Sequence, residues 1–100
     1  MEKEFIPYEQ ALELKELGFD EECIFIYQYP NLDVKVPAPL YQQAFRWFRE
    51  KHDKLGCIQK ANDRNRFIYL VNDIVFGFYN TYEEAELACL KKLIEIVKNK

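Results

Sequence analysis

Little in this 100-residue chain interrupts regular structure. It holds only three glycines and four prolines, and three of the prolines fall in one stretch, Pro30 to Pro39. With 49% hydrophobic and 16% aromatic residues, a disordered tail is excluded and a packed core in one globular domain spanning residues 1–100 is expected. Long apolar runs are also missing. The longest, Cys23–Tyr27 and Phe67–Val71, fall far short of the roughly 20 residues of a membrane span, and Met1-Glu2-Lys3-Glu4 does not read as a signal peptide. The expectation is a soluble cytoplasmic protein with no membrane partner.

Cysteine and histidine are scarce as well. Cys23, Cys57 and Cys89 are odd in number, widely spaced and without a CxxC pair, which argues against a disulfide framework or a thiolate zinc site and for reduced core thiols. His52 is the sole histidine, so a Cys/His nucleophile pair could rest only on His52 and Cys57. Cys57 enters an apolar strand, His52 closes a helix where the dipole favours a cationic imidazole, and no third group is placed to orient the pair. Glycine-rich phosphate loops, GxSxG and HExxH are absent. These absences predict a non-enzymatic protein without metal or cofactor.

What is present is an uneven charge and a clear amphipathic plan. The net charge is −3, yet residues 1–37 carry nine acids and three bases, residues 38–66 three acids and seven bases, and residues 67–100 five acids and four bases. A basic middle can meet phosphate, or it can be answered by the acidic first third within the same fold, and the second reading is preferred for an acidic protein.

The stretch from Ile6 to Asp20 predicts a first helix opened by Pro7 and closed at Gly18, with Phe19 folding back onto Leu14. Cys23–Tyr29 reads as a strand stopped by Pro30, and the proline-rich segment after it as a loop or extended edge with at most a few strand residues around Val34 to Val36. A second helix is expected from Pro39 to about His52. Leu40, Tyr41, Ala44, Phe45, Trp47 and Phe48 share one arc of it, and Gln42, Gln43, Arg46, Arg49 and Glu50 lie opposite. Strand runs at Cys57–Lys60, Arg66–Val71 and Ile74–Tyr79 suggest an antiparallel meander turned at Asn72-Asp73, with Gly77 marking a bulge or a close backbone approach. Thr81 and Glu84 cap a last, broadly apolar helix that should pack on the sheet and touch another helix. The expected fold class is α+β, a small antiparallel sheet of three to four strands packed with three helices in the order α-β-α-β-β-β-α.

Two stretches, Ala38–His52 and Thr81–Lys98, with Phe5–Cys23 less strongly, resemble a family of small uncharacterised proteins encoded by phages and mobile elements of gut bacteria. The resemblance implies a cytoplasmic protein of bacterial or viral origin and brings no activity, cofactor or catalytic residue.

Two surfaces offer themselves for function. The polar face of the second helix, Gln42, Gln43, Arg46, Arg49 and Glu50, could grip carboxylates or phosphates of a partner through its arginines. The alternative is single-stranded nucleic acid stacked on an aromatic sheet face at Tyr27, Tyr29 and Tyr69 with Lys60, Arg64 and Arg66 alongside. Protein contact is preferred, because strand aromatics are ordinarily core. Phe67–Val71 and Cys23–Tyr27 are apolar on both faces, which requires either helices on both sides of the sheet or an exposed face that joins a partner or forms a homodimer.

Overall fold

Three helices and five strands follow one another as α1 (Tyr8–Glu16), β1 (Phe25–Gln28), β2 (Lys35–Ala38), α2 (Tyr41–His52), β3 (Gly56–Lys60), β4 (Phe67–Val71), β5 (Ile74–Tyr79) and α3 (Tyr82–Lys98). The structure, a computed structural model, describes residues 5–23, 25–28, 35–61 and 66–99. The α+β class and the expected alternation of elements hold, with the strands divided between two antiparallel sheets, β1-β2 and β3-β4-β5.

Helix α1 ends as its sequence predicts. Gly18 has φ +102°, its N–H donates to the Lys15 carbonyl at 3.1 Å, and the Phe19 N–H reaches back to the Leu14 carbonyl at 3.0 Å. That pair of bonds satisfies two carbonyls the helix would leave open and drives Phe19 into the core beside Leu14.

The proline-rich segment supplies a strand. Lys35–Ala38 pairs with β1, with Ala38 opposite Phe25 and Pro37 opposite Ile26. A two-stranded sheet consists only of edges, so Pro37 is tolerated there. Pro39 in turn holds Ala38 extended, and α2 therefore starts at Tyr41, two residues later than the sequence suggests. The Ile6 N–H donates to the Pro39 carbonyl at 3.0 Å and the Ile6 carbonyl accepts the Tyr27 hydroxyl at 2.8 Å, fixing the segment before α1 against this small sheet.

Helix α2 is amphipathic in the way its spacing requires. Tyr41, Ala44, Trp47 and Phe48 are buried, Phe45 is half-buried, and Gln42, Arg46, Arg49 and Glu50 are exposed. The Trp47 ring, 4% exposed, meets Phe19 at 5.5 Å and Phe48 at 5.0 Å, both edge-on. Asp53 takes the left-handed conformation that ends the helix, with the Lys54 N–H bonded to the Phe48 carbonyl at 3.1 Å.

The meander is set by its turn and by a bulge. Asn72 (φ +52°) and Asp73 (φ +71°) form a two-residue turn with both positions left-handed, the geometry that matches strand twist. Asn72 also joins distant chain, since its Oδ1 accepts the Leu55 N–H at 2.7 Å and its own N–H donates to the Leu55 carbonyl at 2.9 Å. On β5 the register slips by one residue between Phe76 and Tyr79 around Gly77 (φ +52°), so of the two expected roles for this glycine the bulge is the one present. Helix α3 is capped by Thr81, whose hydroxyl accepts the Glu84 N–H and donates to its carboxylate, both at 3.1 Å. It crosses one face of all three strands and also contacts α1 and α2. Gly56 lets it come close: a Cβ there would lie 2.9 Å from the Cys89 Sγ and 3.0 Å from a Leu93 methyl. Ala85, Cys89, Leu90, Leu93 and Ile94 thus join Tyr69, Val71, Phe48 and Leu14 in a continuous core.

Candidate functional site

The polar face of α2 is partly used inside the molecule. Gln43 Nε2 donates to Glu21 Oε1 at 3.2 Å and to the Glu22 carbonyl at 3.0 Å, and Arg46 lies 3.5 Å from Glu21 and 3.6 Å from Glu50. The acidic stretch after α1 is therefore held against the basic helix, the internal pairing that the charge distribution favours. Arg46 is about half exposed, so this ion pair is worth little, well under about 1 kcal/mol. Gln42 and Arg49 point to solvent without a hydrogen bond or ion pair among the described residues.

The aromatic platform is not assembled where the nucleic-acid alternative needs it. Tyr27 packs edge-on against Tyr8 at 5.6 Å and spends its hydroxyl on Ile6. Tyr69, 6% exposed, lies beneath α3, stacked on Phe76 at 5.4 Å and tilted against Tyr79 at 6.0 Å. Burial pushes its phenol up to about 12. Tyr69 is thus a core ring and offers no face to a base. Lys60 and Arg66 are exposed at the end of the sheet away from the Asn72-Asp73 turn, whereas Tyr29 and Arg64 lie outside the described residues.

The remaining reactive side chains fall in ordinary packing environments. The His52 ring sits edge-on to Trp47 at 4.8 Å. Burial, then the neighbouring Cys57, pushes the Cys89 thiol up to about 12, and burial followed by Glu21 raises Cys23. Thiols shifted in that direction stay protonated near neutrality and are poor nucleophiles. The chain has no serine, and its single threonine, Thr81, is the α3 cap. Among the described residues no group of three histidines, cysteines or carboxylates is placed to hold a metal ion. Nor is any helix there long and apolar enough to cross a membrane. A cleft of about 350 Å³ between α1 and the end of α3 is lined by Gln10, Glu13, Lys91, Ile94, Glu95, Lys98 and Asn99, and the Lys98–Glu13 pair, 3.0 Å apart, bridges it.

The surface left over is the far side of the meander. Gly56, Tyr69, Val71 and Phe76 face α3, so alternation directs Leu55, Cys57, Gln59, Arg66, Ile68, Leu70 and Val75 the other way. Phe78 joins them because the bulge adds one residue between Phe76 and Tyr79. Leu55 is 46% exposed, Val75 53% and Phe78 61%, and the Arg66 guanidinium lies 5.7 Å from the Phe78 ring centre. Sequence reasoning recognised Phe67–Val71 as apolar on both faces and named Arg66, but did not single out Leu55, Val75 or Phe78. Without the bulge, Phe78 would share a face with Phe76.

No family model matches the chain, and no curated protein or solved structure shows significant similarity to it. The functional reading therefore rests on the geometry.

Proposed function

We propose that this chain is a small, non-enzymatic protein-binding module, a cytoplasmic accessory protein of the phage and mobile-element family its helices resemble. The observation that supports it is the apolar sheet face around Leu55, Leu70, Val75 and Phe78, which no element among the described residues covers, a patch of the kind that marks contact surfaces on small proteins. The protonated Cys23 and Cys89 thiols and the core position of Tyr69 fit this reading better than catalysis or base stacking. The polar face of α2 contributes Gln42 and Arg49 as a second, weaker contact, since Gln43 and Arg46 already hold the Glu21-Glu22 segment.

The test is affinity capture from a lysate of the host cells, with and without nuclease, using the wild-type chain, Phe78→Glu and Arg46→Ala/Arg49→Ala. Protein retained after nuclease but lost with Phe78→Glu supports contact through the sheet. Loss with the arginine variant alone moves the site to α2. Retention that vanishes with nuclease alone overturns the protein-binding reading in favour of nucleic acid.

A further inference from the structure

We infer that the cleft between α1 and the end of α3 is a binding site for a small organic carboxylate that carries a second hydrogen-bonding group, held by the Lys91 ammonium and the Gln10 side-chain amide. This site is independent of the open sheet face.

The key residue is Gln10. It is only 6% exposed, yet its side-chain amide makes no hydrogen bond with any described residue. Its place in the helix explains why. Gln10 is the third residue of α1, where a glutamine ordinarily reaches back to the backbone N–H of the residue that caps the helix. Here that residue is Pro7, which has no N–H to give. A buried amide left unpaired costs stability, and neither of its polar atoms is sealed away from the cleft that Gln10 lines. The fold thus holds one donor group and one acceptor group ready for a ligand and uses neither itself.

The charges around the cleft leave one member over. Glu13 is paired with Lys98 at 3.0 Å and Glu95 with Lys92 at 3.8 Å, so both carboxylates on the lining are already answered. Lys91 has no ion pair or hydrogen bond among the described residues. The uncommitted charge is positive and selects an anion, with amide N–H donors on Gln10 and Asn99 beside it.

Spacing sets the size of the ligand. Lys91, Ile94 and Lys98 fall on one face of α3, so Lys91 stands two turns, roughly 10 Å, from the Lys98–Glu13 pair that bridges the cleft. Ile94, 2% exposed, supplies an apolar wall along this stretch. A volume of about 350 Å³ is at the small end for ligand pockets. It suits a molecule of a few carbons, with its carboxylate on Lys91, its chain against Ile94 and its hydroxyl on Gln10. Inorganic phosphate would engage Lys91 alone, and a simple fatty acid would leave Gln10 unpaired.

The experiment is a titration of the isotope-labelled chain followed by NMR, in which the Gln10 side-chain amide reports directly. The probes are lactate and β-hydroxybutyrate, which carry both groups, butyrate, which lacks the hydroxyl, butyramide, which lacks the charge, and inorganic phosphate. The hydroxy acids should shift the Gln10 amide and the Lys91 and Ile94 backbone saturably, with dissociation constants at or below roughly 1 mM. Butyrate should bind about tenfold more weakly and butyramide not at all. Lys91→Ala and Gln10→Met should each weaken hydroxy-acid binding about tenfold. Because the amide is unspent in the fold, Gln10→Met should also raise the urea midpoint of the free protein. A lowered midpoint would make Gln10 a structural residue and overturn the inference. So would the absence of saturable shifts at Gln10 with both hydroxy acids, or butyramide binding as tightly as they do. Equal shifts with phosphate would mean an adventitious ion only, on Lys91, and would overturn it as well.

Discussion

The two faces of the β3-β4-β5 sheet draw on the same kinds of residue and meet different fates. One face presents Tyr69, Val71, Phe76 and Tyr79 to α3, with Gly56 admitting the helix to close range, and its rings stack on one another. The other presents Leu55, Leu70, Val75 and Phe78, of which Val75 and Phe78 remain more than half exposed. Hydrophobicity is therefore not what separates core from contact surface in this protein. The separation comes from which face has a helix to receive it, and α3 can cover only one.

That contrast is sharpest in stability measurements. The largest effect belongs to the covered side: Trp47→Ala should cost about 3–5 kcal/mol in chemical denaturation, because the buried ring packs against Phe19 and Phe48 and its removal leaves a cavity. A near-neutral result would mean that the ring is a contact residue. Next comes Gly56→Val, where even the first added carbon meets Cys89 and Leu93 at about van der Waals overlap, so a loss of about 1–3 kcal/mol is expected. Fluorescence-monitored unfolding in urea would register it, and an unchanged midpoint would show that α3 can lift off the sheet freely.

Alkaline pH probes the same side. Tyr41, Tyr69 and Cys89 are held neutral by burial, each with its pKa pushed up to about 12. Below the ordinary values of 9.0 for the thiol and 10.0 for the phenols, the folded and unfolded states bind these protons equally and the stabilisation is complete. Above them the unfolded chain releases protons that the folded chain keeps, so the melting temperature should fall progressively from about pH 9 to about pH 12. A flat profile over that window would contradict the burial of these groups. The smallest effects lie on the open side and on α2, where Phe78→Ala in dilute solution and Arg46→Ala should each change stability by less than about 1 kcal/mol.

How far the fold could be read in advance varied with the range of the interaction concerned. The Gly18 helix ending, the inward arc of α2, the Thr81 cap and the Asn72-Asp73 turn are all decided within a few residues, and each was legible from local chemistry. Strand β2 was harder, because prolines that argue against a strand are permitted once β1 lies alongside. The attachment of Glu21 and Glu22 to Gln43 and Arg46 joins segments more than twenty residues apart, and only the charge imbalance between the first and middle thirds of the chain hinted at it. The open face was hidden for a different reason. The bulge at Gly77 could be anticipated, but its consequence, the transfer of Phe78 to the opposite side from Phe76, depends on where the extra residue falls in the ladder.

The left-handed backbone at Asp73 bears on how such a chain evolves. Asn-Gly is the better sequence for this turn, and Asp73→Gly should raise the melting temperature, since glycine adopts a φ of +71° without strain. Aspartate at this position leaves local stability unused, and the turn is a place where a single substitution can recover it without touching the core.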